Sequence, residues 1–332
     1  MNDAARTLIS KAMETAKPPV EFSAYAPSNI ALSKYWGKRD AARNLPLNSS
    51  LSISLAEWGS HTTVRPSSDG RDHVSLNGET LSATSKFAIK ALKFADLFRG
   101  GKDIPLVIDT RNTIPTAAGL ASSASGFAAL TRALCGAFGL DLSESEMSLI
   151  ARIGSGSATR SFWHGFARWD KGEAEDGSDS FAQPLAYNWP EFRIAIVAVD
   201  VGPKSHSSRD GMNHTVATSP LFATWPDQAE ADCKAIEQAV ADQDFPVLGA
   251  LAEANALAMH ATMQAARPAL SYLTSDSWAI LERLWQARQD GLEAYATMDA
   301  GANVKLLFLQ DSEVNVLSLF PEAQVIDPFG AL

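Results

Sequence analysis

Tyr187-Asn-Trp-Pro-Glu-Phe-Arg-Ile-Ala-Ile-Val-Ala-Val199 marks the one change of texture along this chain. Residues 187–190 read as a boundary, and the unbroken apolar run 194–199 reads as a buried strand. Upstream, from about residue 20 to 185, short strand-like runs dominate at 50–56, 61–65, 106–110 and 165–169, separated by Gly/Ser/Asn/Asp clusters that mark turns. Two helical stretches interrupt them. In 84–98, Phe87, Ala91, Phe94, Ala95 and Phe98 fall at spacings of three and four, which makes one apolar face; 121–138 is rich in Ala and Leu. Downstream come three helical patterns, 227–241, 247–265 and 276–289, with Pro226 and Pro246 just before two of them. Strand-like 293–297 and 304–309 follow. Strands, then helices, then strands, without strict βαβ alternation, predict an α+β protein of two domains.

The chain has 332 residues, enough to bury roughly three quarters of the surface its unfolded form exposes. Apolar residues at 46% and charged residues at 20% describe an ordinary globular protein. A net charge of −10 excludes broad nucleic-acid or anionic-membrane binding, which needs a dominant basic surface. An anionic substrate therefore has to be met by a local basic pocket working against the overall field. The two cysteines, Cys135 and Cys233, have no CxxC partner, so a disulfide framework and a zinc cage are both excluded as readings, and a cytoplasmic, reducing setting fits. Cys135 lies in an apolar stretch and reads as core packing. Residues 1–19 interleave charges and read as an N-terminal extension, with no secretory signal. No 18-residue apolar run exists to span a bilayer.

Five segments carry chemistry. Pro115-Thr-Ala-Ala-Gly-Leu-Ala-Ser-Ser-Ala-Ser-Gly126 runs into an Ala-rich helix, where small residues and orphan N–H donors suit a phosphate. It is neither a Walker A loop nor GxGxxG, and a Ser-capped helix packed closely through small residues is an equal reading. Ala26-Pro-Ser-Asn-Ile-Ala-Leu-Ser-Lys-Tyr-Trp-Gly-Lys-Arg39 sets Lys34, Lys38 and Arg39 around Tyr35, Trp36 and Gly37. The lysines could act as point charges for an anion, with Gly37 allowing close backbone approach, or could simply be solvated in an exposed turn. Gly154-Ser-Gly-Ser-Ala-Thr-Arg-Ser161 offers hydroxyls, N–H groups and a guanidinium that grip phosphate or carboxylate, or else is a plain turn. Lys204-Ser-His-Ser-Ser-Arg-Asp-Gly211 is a third base-rich loop after the buried strand, or a mobile surface loop. In Ala296-Thr-Met-Asp-Ala-Gly-Ala-Asn303, Asp299 could accept a proton from a substrate hydroxyl or form an Asx turn ending the strand. The six histidines are scattered, so a histidine metal site is not expected; Met259, Met263 and Met298 read as packing.

In this order, the strings SNIALSKYWGKRD, LPLNSSLSISL, IPTAAGLASSASGFAAL, GSGSATRSFWHGFARW, SHSSRDGMNHTVATSPLF and MDAGAN resemble the diphosphomevalonate decarboxylase family. That family lies within the superfamily of galactokinase, homoserine kinase, mevalonate kinase and phosphomevalonate kinase. The likeness runs from about Tyr25 to Phe308, and KYWGKRD and GSGSATRS are family-specific. It implies a ribosomal protein S5 domain 2-like domain over 20–188 and a ferredoxin-like domain over 189–332, with the active site in the cleft between them. It also implies ATP-dependent phosphorylation of the 3-hydroxyl of (R)-5-diphosphomevalonate, followed by loss of phosphate and CO₂ to give isopentenyl diphosphate. ATP and Mg²⁺ are the implied cofactors, the metal bound largely through nucleotide phosphates with no dedicated carboxylate cage. A homodimer is left open.

By resemblance, Asp299 matches the catalytic base, Lys34 a lysine near the reacting centre, and Arg160 the arginine that binds the substrate carboxylate. Asn29, Tyr35, Trp36, Gly37, Lys38, Ser155, Gly156 and Ser157 match the substrate-contacting segments. Ser208 and Arg209 match a further substrate-side position, where some relatives carry Thr in place of the arginine. Pro115, Ala117, Ala118, Gly119, Leu120, Ala121, Ser122, Ser123 and Ser125 match the ATP loop. Two other readings stay open: a kinase or decarboxylase acting on mevalonate or its 5-monophosphate, and a non-catalytic sensor of phosphorylated metabolites.

Overall fold

The computed structural model describes residues 3–114, 123–199 and 206–330. The first half is built on a seven-stranded sheet in the spatial order Glu79–Thr80, His73–Leu76, Leu106–Asn112, Ser50–Pro66, Phe166–Trp169 and Ala182–Pro184, with Phe22–Ser33 also paired to Ser50–Pro66. All described pairings in it are antiparallel except that of His73–Leu76 with Leu106–Asn112. The two runs expected at 50–56 and 61–65 are one 17-residue strand. It bends where Ala56 takes a left-handed φ of 47° and donates its N–H to Ser54 Oγ at 3.1 Å. The polar interruption at Glu57 looks like a turn in sequence, but opposite it the register with the Phe22–Ser33 strand shifts and pairing resumes.

Helix Ser123–Ala137 packs its Ala128, Ala129 and Ala133 inward, small side chains that let it lie close on the sheet. Helix Lys86–Arg99 buries the Ala91, Phe94, Ala95 and Phe98 face its spacing predicts. Helix Glu144–Gly154, which the periodicity did not bring out, opens on a capping box between Ser143 and Glu146. The N-terminal extension forms helix Ala4–Ala12, and its Ile9 joins a core cluster with Phe94, Phe98, Phe138 and the buried Cys135.

The second sheet is four-stranded and antiparallel, ordered Ala294–Thr297, Val304–Leu309, Phe192–Val197, Gln324–Ile326. The expected buried strand therefore starts two residues earlier than read and stops at Val197. Helices Trp225–Asp242, Phe245–Gln264 and Ser275–Gln289 cover it, and Pro226 and Pro246 sit inside the first turns of two of them rather than ahead. There the missing N–H costs nothing. One apolar core joins the halves: Ile30, Leu32, Leu51, Ile53, Leu55 and Phe166 from the first pack with Phe192, Ile196, Leu248, Met298, Leu306 and Phe308 from the second. This shared core brings the ends of strands Phe22–Ser33 and Ala294–Thr297 together, where Thr297 Oγ1 donates to Ala31 O at 3.4 Å, and Lys34 and Asp299 follow just beyond those ends.

Candidate active site

Lys34 leaves the end of strand Phe22–Ser33 with its main chain held on both sides. Its N–H donates to Asn255 Oδ1 at 2.8 Å and its carbonyl accepts from Asn48 Nδ2 at 2.8 Å. Asn255 is itself fixed, donating to Asp232 Oδ2 at 2.8 Å. The ammonium, almost fully buried, donates to Ala31 O at 2.8 Å and to Asp299 Oδ1 at 2.9 Å. Burial, reinforced by Lys305 and Arg160, pulls its pKa down to about 8 against the pull of Asp299.

Asp299 follows strand Ala294–Thr297. Its carbonyl accepts from Gly301 N–H at 2.7 Å, which turns the chain, and lies 3.1 Å from His260 Nε2. Its second oxygen, Oδ2, pairs with Lys305 Nζ at 3.2 Å. The two lysine side chains are 2% and 4% exposed, whereas the Asp299 side chain is 39% exposed, so the carboxylate is the most open of the three. Burial works to raise the pKa of Asp299, but Lys305 and Lys34 overcome it and hold the carboxyl well below the usual carboxylate range.

Asp299 lines a cavity of about 550 Å³, together with Lys34, Arg160, Lys38, Arg209 and Lys305 among others. Arg160 ends the 3₁₀ turn Gly156–Arg160 and is 3% exposed. Its Nη1 donates to Ser50 Oγ, Nη2 to Asn29 Oδ1 at 3.5 Å, and its guanidinium lies over the Trp169 ring at 5.9 Å. Its buried Nε has no protein partner among the described residues. Asn29 orders the same turn by donating to Ser157 O at 3.2 Å and Ser161 Oγ at 2.7 Å. Ser155, Gly156 and Ser157 line the cavity, so the expected Gly/Ser loop is the end of helix Glu144–Gly154 followed by the 3₁₀ turn. A Cβ on Gly156 would lie 2.7 Å from the Tyr35 ring, which also packs edge-on against Trp169. Gly156→Ala is therefore expected to push Tyr35 out of the cavity wall and raise the substrate KM about tenfold, with kcat changed less. Steady-state kinetics check this, and an unchanged KM would count against it.

At the far end Lys38 donates to Asn44 Oδ1 at 2.7 Å. Burial and the nearby Arg209 charge lower its pKa to about 8. Ser208 and Arg209 line the cavity from the first turn of helix Ser208–Thr218, capped by Ser207, whose Oγ accepts from Asp210 N–H. The stretch read as a loop is helical there because capping, not an apolar stripe, starts the helix. Lys204 lies outside the described residues. Trp36 is buried beside the cavity and its carbonyl accepts from Trp225 Nε1 at 2.7 Å. Gly37 is buried between Trp36 and Lys38. Its φ of 114° and a would-be Cβ 2.6 Å from the Phe222 ring show that the close approach it permits is to that ring.

Of the ATP-loop residues, Pro115, Ala117, Ala118, Gly119, Leu120, Ala121 and Ser122 lie outside the described residues. Ser123 lines the cavity at the start of its helix, where the positive end of the helix dipole favours an anion such as phosphate. Ser125 is fully buried, 3.0 Å from Ser28 Oγ and 2.8 Å from Ser60 Oγ. Lys90, from helix Lys86–Arg99, also lines this side. Among the described residues no group of three His, Cys, Asp or Glu could hold a metal, and Asp299 is the one carboxylate on the cavity wall.

Lys305, Asn255 and Asn48 escaped the sequence reading. Lys305 had a signal, a single charge inside the apolar strand Val304–Leu309. The two asparagines had none, since each acts through a main-chain contact far away in sequence.

Lys34 and Lys38 both titrate near 8 in the free protein, well below the ordinary 10.5. Raising the pH strips their protons and the cavity loses cationic charge. kcat/KM should therefore fall on the alkaline side with a midpoint near 8, and kcat at higher pH, because a bound anion favours the charged lysines. A kcat/KM that stays level to about pH 9.5 would contradict this.

The profile of the family described as "Diphosphomevalonate decarboxylase-like N-terminal domain" matches residues 26–182, and that of the "Mevalonate 5-diphosphate decarboxylase C-terminal domain" matches 194–327. A diphosphomevalonate decarboxylase of Aspergillus fumigatus is 40% identical over 311 residues, 87% of this chain and 77% of that protein. The solved complex of MDDEF with MVAPP, AMPPCP and magnesium superposes with a TM-score of 0.86 at 39% identity, covering 92% of this chain and 96% of that one. The mevalonate diphosphate decarboxylase of Enterococcus faecalis, described for mevalonate diphosphate mediated ATP binding, gives 0.84 at 38% identity over 92% and 96%.

Proposed function

The chain belongs to the diphosphomevalonate decarboxylase family, and on that premise we propose that it converts (R)-5-diphosphomevalonate and ATP to isopentenyl diphosphate, ADP, phosphate and CO₂. The observation that carries the reading is the Asp299 carboxylate, 2.9 Å from Lys34 and 3.2 Å from Lys305, on the wall of a cavity that also holds Arg160.

Asp299 accepts the proton of the tertiary 3-hydroxyl as that oxygen takes the γ-phosphoryl group. A carboxylate held so far toward its ionised form is a weak base, yet phosphoryl transfer passes through a loose transition state in which positioning and charge neutralisation matter more than base strength. Lys34 neutralises charge beside the reacting oxygen. Arg160, on the cavity wall with a planar fork of N–H donors, is suited to the substrate carboxylate, holding it beside C3. The C3–O bond then breaks and phosphate leaves; the electron pair of the C–C bond to the carboxylate forms the double bond as CO₂ departs. Lys38 and Arg209, with Ser155 and Ser157, meet the diphosphate at the far end, where two cations already repel one another until an anion arrives.

Ser123 and the helix start behind it are suited to nucleotide phosphates, together with residues 115–122. Mg²⁺, bound through those phosphates, supplies further charge neutralisation. We assign residues 20–188 and 189–332 to the two domains; the family matches ending at 182 and beginning at 194 support the division. The free, buried thiols of Cys135 and Cys233 support a reducing, cytoplasmic setting. No described helix is long and apolar enough to cross a membrane.

Steady-state turnover of mevalonate, its 5-monophosphate and its 5-diphosphate, followed by CO₂ release, tests the proposal. The diphosphate should give the highest kcat/KM by a wide margin. Equal turnover of the monophosphate would overturn the assignment of Lys38 and Arg209 to a second phosphate.

A further inference from the structure

We propose that Lys305 is a positioning residue for the reaction: from the strand beside Asp299 it holds one carboxylate oxygen while Lys34 holds the other, and so fixes the face that Asp299 turns to the substrate. The inference rests on the reading of Asp299 given above and adds a residue to it.

Lys305 lies within Val304–Leu309, an interior strand of the four-stranded sheet in which Val304, Leu306, Leu307 and Phe308 are all fully buried. An ammonium group in such a place is strongly disfavoured unless it is paired and hydrogen-bonded. Its contacts are Asp299 Oδ2 at 3.2 Å and Asn303 O at 3.4 Å. The strand register pairs Lys305 with Thr297, two residues before Asp299, so the backbone ladder itself delivers the ammonium to that carboxylate. Lys34 reaches the same carboxylate from the first half of the chain. The two lysines thus approach from different sheets, and the carboxylate cannot rotate away from either without leaving a buried charge unpaired.

Among the described residues, four ionisable groups face Asp299. Lys34 and Lys305 touch it, Arg160 acts on it through space, and His260 from helix Phe245–Gln264 meets its carbonyl. Burial and the neighbouring lysines keep His260 neutral by pushing its pKa down to about 4, so it adds no cation. Removing Lys305 therefore leaves Lys34 as the one contacting cation. Asp299 should then bind a proton more readily and sample more than one rotamer.

The full chain carrying Lys305→Met or Lys305→Gln is the test, with Lys305→Arg as the conservative variant. In the ligand-free protein, the ¹³C resonance of the Asp299 carboxyl, assigned through Asp299→Asn, should titrate at least about one pH unit higher in both neutral variants than in the unaltered chain, with Lys305→Arg close to the latter. The acid limb of kcat/KM should move in the same direction, with kcat down about tenfold or more and the KM for ATP little changed. A latch that merely joins two strands would lower thermal stability and leave that titration where it was. An unmoved titration in a folded neutral variant overturns the proposal, and so does failure of both neutral variants to fold, which would assign Lys305 to the fold. If the unaltered chain releases no CO₂ from the diphosphate while the titration moves as expected, the proposed reaction fails and the two-lysine clamp stands.

Discussion

Asp299→Asn is expected to lower kcat by about 10²- to 10⁴-fold, the range that a positioned proton acceptor supplies, while ATP binding stays within a few-fold of the unaltered protein. Asparagine keeps the shape of the side chain and removes its charge. Lys34 and Lys305 then lose the one carboxylate both touch, at 2.9 and 3.2 Å. Two buried ammonium groups without a counter-charge shed protons more easily, so the cavity also loses cationic charge near neutral pH. The loss should therefore appear in kcat and in substrate KM, with ATP binding serving as the sign that the fold is intact. A variant that keeps most of its turnover would remove Asp299 from the mechanism.

Arg160→Lys should reduce kcat/KM for the diphosphate by about 10²- to 10³-fold, which corresponds to the roughly 2–5 kcal/mol lost when a buried, hydrogen-bonded charge partner is truncated. The charge survives the substitution but the planar fork does not. Arg160 reaches Ser50 and Asn29 with its two terminal nitrogens and its guanidinium lies over the Trp169 ring, while each terminal nitrogen carries a second N–H that can meet a ligand. A lysine cannot satisfy Ser50, Asn29 and a substrate carboxylate at once. The KM for ATP should change little. Kinetics equal to those of the unaltered chain would refute the role given to the guanidinium.

Periodicity carried the reading of the helices and of strand Val304–Leu309 because each presents one clear apolar pattern over its whole length. It failed where another kind of signal governs. Helix Glu144–Gly154 begins at Ser143-Glu-Ser-Glu146, a capping box written in the sequence but polar enough to pass for a turn. Helix Ser208–Thr218 starts on a single serine cap, Ser207, inside a hydroxyl-rich stretch. The bend at Ala56 divides one strand into two apparent ones.

The site was legible as separate segments, each with an ordinary alternative reading. Nothing in spacing joins Lys34 to Asp299 across 265 positions; the family resemblance joined them, and the shared core between the sheets explains physically why they meet. Lys305 went unseen because charged clusters attract attention, whereas a single lysine in an apolar strand does not. Gly37 shows how one glycine can carry a packing constraint that spacing does not reveal: a side chain there would meet the Phe222 ring.

One carboxylate, clasped by two lysines, starts a phosphorylation that ends in loss of CO₂. Mixing the enzyme with a limiting amount of (R)-5-diphosphomevalonate labelled at its carboxylate carbon, together with ATP and Mg²⁺, and counting products tests it most directly. The expected result is ADP, inorganic phosphate and labelled CO₂ in equal amounts, each abolished together in Asp299→Asn. ADP formed without CO₂ would mean that the cavity stops at phosphoryl transfer, and the decarboxylase reading would be wrong.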